Sequence, residues 1–83
     1  MAGHSHDFVE TYSGPLAFGL SREIDEASLV VYVQKFADDA VMEVIKTRLA
    51  DQEIREIVDF LTGLLKRHLS ETEYHRLFLR DAG

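Results

Sequence analysis

Residues 52–69, QEIREIVDFLTGLLKRHL, place Ile54, Ile57, Val58, Leu61, Leu64, Leu65, His68 and Leu69 so that each has others of the set three or four positions away. That spacing puts the eight positions on one face of a helix, and a strand of period two would scatter them. The rest of the helix surface carries Gln52, Glu53, Glu56, Asp59 and Arg67. An amphipathic helix of this length must lay its apolar stripe against something. The first question about the chain is therefore what covers it.

The rest of the sequence offers further helices. Ser21 precedes REIDEASLVVYVQKF, with Glu23, Asp25 and Glu26 in the first turns, where acids suit the positive end of a helix dipole. Residues 29–33, LVVYV, are rich in β-branched side chains and could be read as a strand. No neighbouring segment supplies a partner strand, so the helical reading is preferred, and a helix apolar on all sides should be the most buried one. Asp38 or Asp39 can cap AVMEVIKTRL, and Asp51 can cap the long amphipathic helix. Ser70-Glu71-Thr72-Glu73 has the spacing of a capping box, opening a last helix with Tyr74, Leu77 and Phe78 inward.

These signals predict an all-α fold, a small four-helix bundle with helices at about 22–37, 39–49, 52–69 and 71–80. Residues 1–20 read differently. Residues 1–7 are polar, and 8–20 mix Phe8, Val9, Tyr12, Leu16, Phe18 and Leu20 with the breakers Gly14-Pro15 and Gly19. This predicts a tail followed by an extended apolar arm, with residues 21–83 as a single helical domain.

Composition narrows the function classes. Nine Lys and Arg against fifteen Asp and Glu leave the chain at −6. An acidic chain repels phosphate backbones and anionic bilayers, so neither nucleic acid nor membrane is expected as the main partner. No apolar run approaches the ~20 residues of a membrane span. The first residues show neither the basic region nor the apolar region of a secretory signal, so the expected compartment is the cytoplasm. With no cysteine, disulfides and thiolate-held zinc are ruled out.

The segment His68-Leu-Ser-Glu-Thr-Glu-Tyr-His75 is the part that most resembles a metal site. On one unbroken helix the two imidazoles would stack, but the capping box turns the chain at Ser70. The segment therefore reads as a joint between helices, with His75 one turn after Glu71. A second metal possibility lies at the start. If Met1 is removed, Ala2-Gly3-His4 offers an amine, two amide nitrogens and an imidazole to Cu(II) or Ni(II), with His6 as a further ligand. The expectation is that no cofactor is needed; the metal alternative rests on His4, His6, His68 and His75.

No Gly-x-Ser-x-Gly turn, glycine-rich phosphate loop or Glu-x-x-His pair is present, and the carboxylate pairs fall at helix beginnings or on polar faces. An enzyme acting alone is disfavoured. A nucleic-acid reading rests on Lys66, Arg67, Arg76 and Arg80 in the last two helices, where Glu71 and Glu73 share the surface. The preferred reading is a non-enzymatic protein-interaction module, with the chain itself as one candidate partner. Its surface is expected at Phe60, Leu64, Leu65, His68, Tyr74, Phe78 and Leu79.

Overall fold

A computed structural model describes residues 3–81 of the chain. The fold is all-α, with no strand among the described residues. Contacts group the residues up to Arg48 in one unit and those from Leu49 onward in another. That grouping is drawn at a different place from an arm-and-domain division at residue 20.

The first unit contains α1 (Asp7–Thr11), α2 (Arg22–Phe36) and α3 (Asp39–Ile45). The arm is not wholly extended, because Asp7–Thr11 forms one helical turn that Gly14 and Pro15 prevent from continuing. Polar bonds fasten this segment to α2 and to the start of α3. The Ser5 amide donates to Asp38 Oδ1 at 2.6 Å, and the Asp39 amide donates to Ser5 Oγ at 3.2 Å. The Val9 amide donates to Gln34 Oε1 at 2.9 Å. Farther along, the Ala17 amide donates to Ser28 Oγ at 2.9 Å, and the Gly19 amide donates to Asp25 Oδ1 at 2.8 Å. Tyr12 folds over Gly14 and donates its hydroxyl to Pro15 O at 2.8 Å. A Cβ at Gly14 would lie 2.5 Å from that hydroxyl, so any larger residue there would push the Tyr12 ring aside.

Ser21 caps α2 as expected, its Oγ accepting the Ile24 amide at 3.2 Å. Residues 29–33 are helical. Among the described residues only Ser28 and Val31 are buried, and both lie on α2. Burial on every side is nevertheless wrong for this helix: Leu29, Tyr32 and Val33 are 54%, 69% and 47% exposed. The arm covers one face of α2 and leaves the other open. Asp38 caps α3, accepting the Ala40 amide at 3.1 Å. α3 ends at Ile45, short of the expected 49, because the chain tightens there: the Arg48 amide bonds Ile45 O, and Thr47 Oγ1 donates to Val44 O.

The second unit contains α4 (Asp51–His68) and α5 (Glu71–Glu73), which runs into a π-helical stretch, Tyr74–Leu79. Asp51 is the first residue of α4 rather than its cap. Ala50 holds the cap position and has no side-chain acceptor, so only half of a capping box forms: Glu53 Oε1 accepts the Ala50 amide at 2.8 Å. Arg55 donates to Gln52 Oε1 at 3.4 Å, not to Asp51 at the spacing that favours an ion pair. The last helix ends at Leu79, followed by Arg80 in the left-handed region at φ 60°.

Candidate interaction surface

α4 brings the apolar stripe together as its period requires, yet no residue of the helix is buried. Ile54, Val58 and Leu61 are 43%, 53% and 51% exposed, and His68 is exposed as well. Ile57, Leu64, Leu65 and Leu69 are half-buried. Asp51, Ile54, Arg55 and Val58 line a shallow open depression at the N-terminal end of the stripe. Phe60 stands beside the stripe and is 68% exposed.

The joint at Ser70 is present as the sequence indicates. α4 stops at His68, and the Leu69 amide bonds Leu65 O. Ser70 Oγ accepts the Glu73 amide at 3.1 Å, while Glu73 Oε1 accepts the Ser70 amide at 2.8 Å. Donation by the Ser70 amide, and then by its side chain, holds the Glu73 carboxyl below its ordinary range. Tyr74 is half-buried and stacks on Phe78, with ring centroids 5.4 Å apart. The inward placement of Leu77 and Phe78 is corrected, since both are exposed, as is Leu79. A π-helical turn spaces side chains differently from the α-helical pattern that predicted their direction.

His75 sits beside two carboxylates, 3.8 Å from Glu71 Oε1 and 3.2 Å from Asp81. It does not share a helix with His68. His4 pairs with Glu10 through both its amide and its Nδ1. His6 is half-buried, and its Nε2 is enclosed without a hydrogen-bond partner. Among the described residues no three His, Asp or Glu side chains stand close enough to hold a metal ion. The amino-terminal cage depends on Ala2, which lies outside the described residues. The basic residues of the nucleic-acid reading are spread over the end of α4 (Lys66, Arg67), the π-helical stretch (Arg76) and the residue after it (Arg80).

One apolar surface was missed in the sequence. The open face of α2 presents Leu29, Tyr32, Val33 and Phe36, with Phe18 standing edge-on to Tyr32 at 6.5 Å and Leu20 71% exposed. Its signal was the all-round apolar character of α2, which implied cover on every side and equally permits a second face with none. No helix among the described residues is long and apolar enough to cross a membrane. Comparison with known protein families, with curated proteins and with solved structures finds no match to this chain.

Proposed function

We propose that this chain is a non-enzymatic protein-interaction module whose principal contact surface is the α4 stripe, flanked by the aromatic residues of the last helix. The observation that carries the reading is an amphipathic helix of 18 residues with an apolar face and no buried residue. Full burial of a Val, Leu or Ile side chain is worth roughly 1.5–3 kcal/mol, and Ile54, Val58 and Leu61, about half exposed, leave about half of that unrealised. A contiguous row of them is the usual mark of a surface that binds. Tyr74, Phe78 and Phe60 add aromatic groups, which carry much of the energy of such contacts.

Dye binding at submicromolar protein concentration tests this directly. The wild-type chain is expected to enhance and blue-shift the fluorescence of an anilinonaphthalene sulfonate, and Leu61→Asp with Leu65→Asp to remove the stripe's share, leaving only what the open face of α2 contributes; a double variant as bright as the wild type would contradict the proposal. A wild-type chain that leaves the dye dark under those conditions has its stripe covered from within, and the proposal is then wrong.

A further inference from the structure

We infer that the occupant of the α4 stripe is α4 of a second copy, packed antiparallel. This rests on the reading of the stripe as a contact surface and adds the identity and direction of the partner.

Charge supplies the first argument. Residues 51–59 carry Asp51, Glu53, Glu56 and Asp59 against Arg55 alone, while residues 60–68 carry Lys66 and Arg67 and no acid. Two such helices side by side in parallel place acid against acid and base against base. Reversing one of them opposes unlike halves, which is how flanking charges set the orientation of paired helices. The same polarity also suits the dipole of each helix alone, so charge by itself would not decide the matter.

Register supplies the second argument. Ile54, Leu61 and His68 repeat every seven residues, and Ile57 with Leu64 form the neighbouring column. In an antiparallel pair these columns interleave. Ile54 then meets the second copy's Leu64, Ile57 meets its Leu61, and the same two layers recur across the two-fold axis. His68 falls over the small Ala50 of the other copy at the end of the row. Glu53 lies opposite Arg67 on one flank, and that contact occurs twice. Glu53 uses Oε1 to cap Ala50, and its other oxygen remains to accept. Arg67 has no carboxylate partner among the described residues. Phe60, highly exposed and off the stripe, falls on the two-fold axis opposite Phe60 of the other copy. One arrangement thus accounts for the apolar rows, an unpartnered arginine and an exposed phenylalanine.

Sedimentation velocity from submicromolar to high micromolar concentration, on the full chain and two charge variants, tests the inference. The wild type is expected to pass from monomer to dimer. Glu53→Lys and Arg67→Glu each turn two attractive contacts into repulsive ones, so each alone should dimerise roughly tenfold more weakly. Mixed together they should recover near-wild-type affinity, because every 53–67 contact is again between unlike charges. Circular dichroism of each variant shows whether it folds. Phe60→Cys, at an exposed position in a chain with no other cysteine, gives a separate reading: a short thiol cross-linker should join two copies. A dimer that shows neither recovery on mixing nor cross-linking at position 60 overturns the antiparallel arrangement. A chain that stays monomeric throughout, yet loses dye signal on Leu61→Asp with Leu65→Asp, overturns the self-partner and leaves the contact surface standing.

Discussion

Gly63 stands inside α4 on the side away from the stripe, and a Cβ built there would meet nothing within 4 Å. Glycine in a helix interior costs roughly 0.5–1 kcal/mol relative to alanine, because it surrenders more backbone freedom on folding. Gly63→Ala is therefore expected to stabilise the chain by about that amount in a denaturant melt, without altering its association. A loss of stability, or weakened association, would mean that another surface packs closely on that side. Arg80 shows the opposite economy. It ends the last helix at φ 60°, in the region where a side chain is strained, and a glycine would adopt that conformation freely. Among the described residues Ser28 is the one buried polar side chain, and its burial is tolerated because its hydroxyl satisfies the Ala17 amide.

At the scale of elements, carboxylates help to hold the first segment, which should therefore loosen in acid. The His4 amide, followed by the His4 ring, holds the Glu10 carboxyl below its ordinary range. The Ser5 amide, followed by the Ala40 amide, does the same for Asp38. A carboxyl whose pKa is lowered by folding stabilises the fold fully above its unfolded pKa. That stabilisation declines as pH falls and is lost below the folded-state pKa. On acidification through the carboxylate range, the amides of Ser5 and Asp39 should therefore lose their exchange protection before those in the middle of α2. Asp38→Asn should flatten this dependence. Protection at Ser5 that stays level down to strongly acid pH would contradict it. The elements also show what the sequence could and could not convey. Ser21, Asp38 and the Ser70–Glu73 box were legible because a cap is a local arrangement of a few neighbouring residues. The stripe on residues 54–69 was legible because its period is unambiguous. The turn at Asp7–Thr11 was not, since bonds from Gln34 and Asp38, some 25 and 33 positions away, help to fasten that segment. The open face of α2 was illegible for a related reason: an apolar side chain records a preference for cover, not whether the chain supplies it.

For the molecule as a whole, 46% of the residues are hydrophobic, yet Val31 is the single buried apolar side chain among those described. The second unit, α4 with the last helix, has no buried residue among those described. Its order should consequently depend on a second molecule, and an equilibrium of that kind shifts with concentration. Hydrogen exchange of the α4 amides, followed on the same sample from high micromolar down to submicromolar concentration, measures this most directly. Leu61, Leu64 and Leu65 are expected to exchange progressively faster on dilution, while the amides around Val31 in α2 hold their rate. Strong protection across α4 that is unchanged by dilution would contradict it.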